Sequence, residues 1–139
     1  MIREDIYAAL FALVSTAPGL VTVSRKLRHW NDVQASEMPA LFQAQGKQVP
    51  LQETNLLTRW ELHGSFWIYV STLDKASPGP VLNPIVDAIA TMLAPGPGGR
   101  HQTLGGLVHY ARLEGESTVS EGTLGDKEVV KIPFKILTL

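Results

Sequence analysis

The sequence predicts an α+β fold, a mostly antiparallel sheet with two helices packed on one face. Two segments, residues 2–14 and 81–93, carry apolar residues at the three-and-four spacing of a helical face. Other segments alternate apolar and polar residues, which is the pattern of a half-buried strand. Few of the connections between these strands are long enough for the crossovers that parallel strands need. The sheet is therefore expected to be mostly antiparallel.

The composition fits one globular domain over residues 1–139. Apolar residues make up 45% of the chain and charged residues 18%, and 12 Lys and Arg against 13 Asp and Glu give a net charge of −1. A net charge so close to zero argues against a protein that binds duplex nucleic acid by wrapping it. No apolar run approaches the ~20 residues that span a bilayer. Acidic residues near Met1 argue against a secretory signal. The absence of cysteine excludes disulfides, thiolate metal ligands and thiol nucleophiles.

The two predicted helices have recognisable ends. Glu4 and Asp5 lie in the first turn of the first helix, where the helix dipole favours negative charge, and Pro18 follows its end. The second helix, residues 81–93, tolerates Pro84 because a first-turn proline loses no helical hydrogen bond.

Four segments are predicted to be strands: residues 20–27, 57–72, 101–114 and 129–137. The segment 57–72 is the clearest, and its apolar face carries Trp60, Leu62, Phe66, Ile68 and Val70. Gly64 interrupts this face and predicts a bulge or bend. Pro133 cannot donate to a ladder, which predicts that the last strand lies at an edge or a bulge.

Residues 31–55 are polar and poorly periodic, and only residues 40–44 resemble a strand. A structureless connection of this length is uncommon in a small domain. We interpret it as an arm that contacts a partner, with a solvated loop as the alternative.

No catalytic motif is present. The glycine-rich loop at residues 95–100 is not followed by Gly-Lys-Ser/Thr and does not open a helix after a strand, so it does not predict a nucleotide site. There is no Gly-x-Ser-x-Gly elbow. Glu114 and Glu116 are spaced to share one strand face, but they lie in an acidic run that is typical of a solvated surface. The sequence thus predicts no enzyme and no cofactor.

The four histidines do not predict a metal site either. None of them forms a pair at the helical spacing of a zinc protease. His101 and His109 are predicted at the two ends of one strand, about 27 Å apart, which is too far to share an ion.

The charges are distributed unevenly, since residues 24–30 are basic and residues 114–128 are acidic. In a monomer the two clusters are solvated surface charges, but in a ring of identical subunits the basic cluster of one subunit can meet the acidic cluster of its neighbour. The residues predicted to form this subunit interface are Arg25, Lys26, Arg28, Glu114, Glu116, Glu121 and Asp126. An edge-like last strand would add a second contact by strand pairing.

Four stretches, residues 1–14, 23–46, 80–95 and 102–137, carry a resemblance to a known family. Their phrases include Arg-His-Trp at residues 28–30 and Pro-Ala-Leu-Phe at residues 39–42. The sequence resembles the tail terminator proteins of long-tailed bacteriophages, also called tail-completion or minor tail proteins.

The resemblance implies an α+β subunit of a homohexameric ring. Such a ring caps the tail tube, ends tube polymerisation and provides the head-to-tail joining surface. The resemblance also implies passage of DNA through the ring without sequence-specific binding, with no membrane, enzyme activity or cofactor. The expected location is the tail or neck of the virion, after assembly in the host bacterial cytoplasm.

On this interpretation the arm contacts the tail tube protein or the head–tail connector proteins. The residues that we expect to make this contact are Trp30, Met38, Leu41 and Phe42. Other hypotheses remain: a head-closure or connector protein, a tail tube protein, or a monomeric adaptor that binds through residues 57–72. A different class, a small enzyme or ligand-binding domain, would use His63, Trp67 and Tyr69 to line a pocket.

Overall fold

A computed structural model describes residues 2–52, 55–72, 77–124 and 126–139, except for the side chains of residues 121–124. The elements in chain order are α1 (Arg3–Val14), β1 (Thr22–Ser24), β2 (Ala40–Leu51), β3 (Arg59–Ser71), α2 (Gly79–Leu93), β4 (Val108–Leu113), β5 (Thr118–Leu124) and β6 (Lys127–Thr138). Single 3₁₀ turns occupy Trp30–Asp32, Ala35–Glu37 and Pro97–Gly99. Neither α-helix of the described residues has the length and apolarity needed to cross a bilayer.

The strands form one sheet in the order β1-β2-β3-β6-β4, and β5 also pairs with β6. Every pairing is antiparallel except that of β1 with β2. The strands β4 and β5 share one side of β6, since β4 pairs with residues 134–138 and β5 with residues 127–131. The predicted α+β class with a mostly antiparallel sheet is confirmed.

The sheet has a buried cluster on each face. The main core lies between the sheet and the two helices, and its largest members include Ile6, Leu10, Phe66, Ile85, Ile89 and Phe134. The second core lies on the other face and consists of Val33, Met38, Ala40, Phe42, Tyr69 and Val129, with Trp30 and Trp67 packed against it. The 3₁₀ turns between β1 and β2 supply Trp30 and flank Val33, so this connection forms a lid over the second core.

The apolar face predicted for residues 57–72 is confirmed in β3. Its members Leu62, Phe66, Ile68 and Val70 lie in the main core, and Trp60 packs against it. Gly64 does not mark a bulge in β3, because the register with β6 is unbroken from Glu61 to Ser71. A Cβ at Gly64 would come within 2.8 Å of Phe134 Cε2, so the glycine makes room for that ring. The bulge lies in β2, between Gln45 and Gln48.

The prediction that the last strand lies at an edge or has a bulge at Pro133 is wrong, because β6 is central with partners on both sides and its register with β3 runs unbroken through Pro133. The carbonyl of Pro133 accepts a hydrogen bond from the Glu114 amide at 3.2 Å. In a strand the N–H and the carbonyl of one residue point to the same side. The missing N–H of Pro133 therefore faces the gap between β4 and β5, where no ladder bond is lost.

Residues 31–55, predicted to be an arm without regular structure, contain part of the lid and the strand β2. Residues 40–51 form β2, a strand inside the sheet that pairs with both β1 and β3. The sequence does not predict β5, because residues 114–126 are acidic and rich in residues that are typical of turns. The first strand is shorter than the predicted residues 20–27 and covers only Thr22–Ser24.

Candidate assembly interface

The basic and acidic clusters lie at opposite sides of the sheet. The basic residues follow β1, the strand at one side, and the acidic residues flank β5 on the other side. Four inter-strand spacings separate β1 from β5, which is about 19 Å at ~4.8 Å each. The two clusters are thus too far apart to pair with each other within one copy of the chain.

Two of the predicted basic interface residues already have partners in their own chain. Arg25 forms an ion pair with Glu4 of α1. Arg28 donates to Glu37 at 3.2 Å. The pKa of Glu37 is lowered by the hydrogen bond from the Gln34 backbone amide and then by Arg28. These pairs tie the first part of the β1–β2 connection to α1 and to the 3₁₀ turn Ala35–Glu37.

On the acidic side Glu114 belongs to a charged network across the face of the sheet opposite the helices. Lys135 Nζ lies 3.2 Å from a carboxylate oxygen of Glu61 and 3.3 Å from one of Glu114. His63 lies 3.2 Å from the other Glu61 oxygen, and its hydrogen bond is the largest cause of the lowered pKa of Glu61, followed by Lys135. Burial raises the pKa of Glu114, but Lys135 and Arg112 outweigh it, so the pKa is lowered.

Three other predicted interface residues are exposed and available. Lys26, Glu116 and Asp126 form no ion pair within the described residues. Glu121 lies in β5, and its side chain is outside the described residues. Lys26 on one side and Glu116 with Asp126 on the other are therefore the charges best placed for a neighbour.

Apolar side chains are also exposed on these two outer strands. Val23 of β1 is 37% exposed and lies opposite Leu41, on the helix side of the sheet. Val119 of β5 is 53% exposed and lies opposite Val130, on the same side. If β1 of one copy paired with β5 of another, both valines would share the helix side of a continuous sheet.

Three of the four residues expected to contact a tube or connector lie inside the protomer. Leu41 is buried in the main core, while Met38 and Phe42 are buried in the second core. Their burial follows from the position of β2 within the sheet. Trp30, which is half-buried, is the member of this set that reaches the surface.

The pocket residues of the ligand-binding hypothesis are partly brought together. Trp67 and Tyr69 line a cavity of about 380 Å³, together with Leu27, Arg28, His29 and Trp30. The Tyr69 hydroxyl donates to the Arg28 carbonyl at 2.7 Å and holds the lid against the sheet. His63 does not line this cavity and pairs with Glu61 instead. Residues 27–30 carry no local signal for this cavity, because their position depends on how the lid packs against the sheet.

The predicted separation of His101 and His109 is wrong, since their ring centroids lie 6.1 Å apart. His101 is not in the strand that carries His109. The segment before β4 folds back, and Gln102 pairs with Ala111 in an isolated bridge. Within the described residues no group of three or more His, Asp or Glu is arranged to hold a metal ion.

Comparisons with known proteins extend the description of the fold. No protein-family model matches the sequence, and no curated protein matches it. Among solved structures, the chain is similar to one from the virion of a native gene transfer agent (GTA) particle. The TM-score is 0.51, the identity is 12%, and the match covers 98% of this chain and 90% of that one. At this identity the likeness shows a shared fold.

Proposed function

We propose that the protein is a structural subunit of a phage-like virion. The observation that carries the proposal is the fold shared over 98% of the chain with a chain from a gene transfer agent virion. The resemblance of the sequence to phage tail terminators supports the same class. Within this class the chain acts by assembly, so its outer surfaces are its functional parts.

The lateral contact in this proposal joins β1 of one copy to β5 of the next. These strands run in opposite directions, because β1 is parallel to β2 and each later step of the sheet is antiparallel. A rotation about an axis along the strands keeps their directions, so neighbouring copies would pair antiparallel. In this antiparallel pairing the end of β1 meets the start of β5, so Lys26 beyond β1 and Glu116 ahead of β5 add complementary charge to the contact.

The finer proposal is a homohexameric ring at the end of the tail tube. The ring stops tube polymerisation, contacts the tail tube protein on one face and the head–tail connector proteins on the other, and lets DNA pass without reading its sequence. The protein then resides in the tail or neck of the virion. The same fold would also suit a tube or head-closure subunit, and the experiment below separates these roles.

The test is native mass across a concentration series, with negative-stain imaging, followed by incubation with purified tail tubes from the same phage source. We expect a discrete sixfold mass, ring-shaped particles with a hole, and added density at one tip of each tube. Open-ended tubes of this protein alone would instead identify a tube subunit. A monomer that leaves tube tips bare would contradict the proposal.

A further inference from the structure

His101 and His109 form an exposed pair of imidazoles at the start of β4. Both side chains are exposed, and both rings contact Tyr110, with centroid distances of 5.6 Å for His101 and 5.9 Å for His109. The two imidazoles are 6.1 Å apart at an interplanar angle of 48°. One ring in β4 and one on the segment before it thus lie side by side, with the phenol ring of Tyr110 contacting both.

This spacing suits a shared metal ion. An ion about 2 Å from one nitrogen of each ring would place the ring centroids about 5–6 Å apart. The observed separation of 6.1 Å lies just above this range, and exposed side chains can close the difference by rotation. Imidazole is a preferred ligand of Zn²⁺, Cu²⁺ and Ni²⁺, and water can complete the coordination.

Two of the nearby positive charges are compensated. Arg112 lies over the Tyr110 ring at 4.3 Å, but its guanidinium also donates to Glu114 at 3.2 Å. Lys135, the next cation along this face, is paired with both Glu61 and Glu114. Arg100, next to His101 in the chain, is exposed and forms no ion pair within the described residues, so inorganic phosphate is the competing ligand that the test below includes.

We propose that His101 and His109 form a two-imidazole site for a divalent transition-metal ion. Such an ion would tie the segment that contains His101 to β4, which adds to the single bridge between Gln102 and Ala111. The proposal does not depend on the proposed function, because the site lies within one copy of the chain.

The test is isothermal titration of the purified protein with Ni²⁺, Cu²⁺, Zn²⁺ and Mg²⁺ salts, together with thermal melts. We expect one Ni²⁺ per chain, tighter binding of Cu²⁺ than of Ni²⁺, no response to Mg²⁺, and a raised Tm. His101→Gln and His109→Gln should each weaken Ni²⁺ binding at least tenfold. His29→Gln is the matched control and should leave binding unchanged, because that exposed ring stacks on Trp30 away from the pair.

Circular dichroism of each variant separates loss of binding from loss of folding. Cu²⁺ broadening of the histidine ring resonances in the wild-type protein gives a second readout that needs no variant, and it should affect His101 and His109 first. Equal binding by either variant, loss of binding in His29→Gln, or broadening of all four histidines alike would overturn the proposal. A Tm raised by inorganic phosphate and not by any of the metals would identify an anion site instead.

Discussion

At the scale of single residues, Lys135 holds together groups from three parts of the chain. Its ammonium contacts Glu61 of β3 and Glu114 just beyond β4, while Lys135 itself lies in β6. Burial lowers the pKa of Lys135, but the two carboxylates outweigh it and raise the pKa, so the side chain stays charged. The periodicity of the sequence predicts that Lys135 faces away from the main core, but it does not predict which carboxylates meet it.

Replacing this ammonium should change how the carboxylates titrate. In Lys135→Met we expect the pKa of Glu61 and that of Glu114 to rise toward the ordinary value of 4.5, because both lose a cationic hydrogen-bond donor. A lowered carboxyl pKa stabilises the fold above 4.5, and this stability is lost as the pH falls through the lower folded value. The variant should therefore lose less stability on acidification.

NMR titration of the side-chain carboxyl carbons checks this prediction. Lys131→Met is the control, since Lys131 lies over the Trp67 ring at 5.2 Å and forms no ion pair within the described part of the chain. Unchanged titration of both glutamates in Lys135→Met would show that the network does not form in solution.

At the scale of elements, strands with regular alternation are predictable from the sequence and interrupted strands are not. The alternation in β3 shows its two faces directly. In β2 only residues 40–44 resemble a strand, because the bulge between Gln45 and Gln48 interrupts the alternation of the rest. The tertiary contact of β2 is not predictable either: the amide nitrogen of buried Gln43 donates to the Tyr7 carbonyl of α1 at 3.0 Å, while its Oε1 has no partner within the described residues. A partner 36 residues away leaves no local signal.

The lid and β2 should behave as part of the core rather than as a removable arm. Met38 is 7% exposed in the second core, so Met38→Ala should lower the free energy of unfolding by about 2–5 kcal/mol through lost packing and a cavity. Leu57→Ala is the matched control, since Leu57 is 91% exposed and its truncation should stay within about 0.5 kcal/mol. Urea denaturation measures both, and equal small effects would mean that the lid is not packed in solution.

At the scale of the whole molecule, the sequence predicted the two charge clusters, and the fold places them on opposite sides of the sheet. It did not predict that Arg25, Arg28 and Glu114 are engaged within the chain, because their partners are set by tertiary packing. Reversing Arg25 and Arg28 would therefore disturb the protomer as well as an interface. Lys26 and Glu116 allow a cleaner experiment.

We expect Lys26→Glu to lower the fraction of ring at a given protein concentration, because like charges would then face each other at every subunit contact. An exposed pair contributes only about 0.2–1 kcal/mol, but a closed ring repeats the loss at each interface. Glu116→Lys alone should act in the same direction, and the double variant should recover assembly. Native mass at two salt concentrations measures this, with a smaller difference at high salt.

Lys47→Glu is the control for net charge, since Lys47 is exposed in the bulge of β2 and lies outside both clusters. If Lys26→Glu and Lys47→Glu assemble equally, the proposed pairing of clusters is wrong.

The position of Pro133 makes β4 and β5 independent of each other. Each strand is held by its own half of β6, and the proline divides the two halves. Local opening of β5 can therefore stop at Pro133 and leave the bonds between β4 and β6 intact. If neighbouring copies join through β5 as proposed, an error in joining could be undone by opening that half of the sheet without unfolding the subunit.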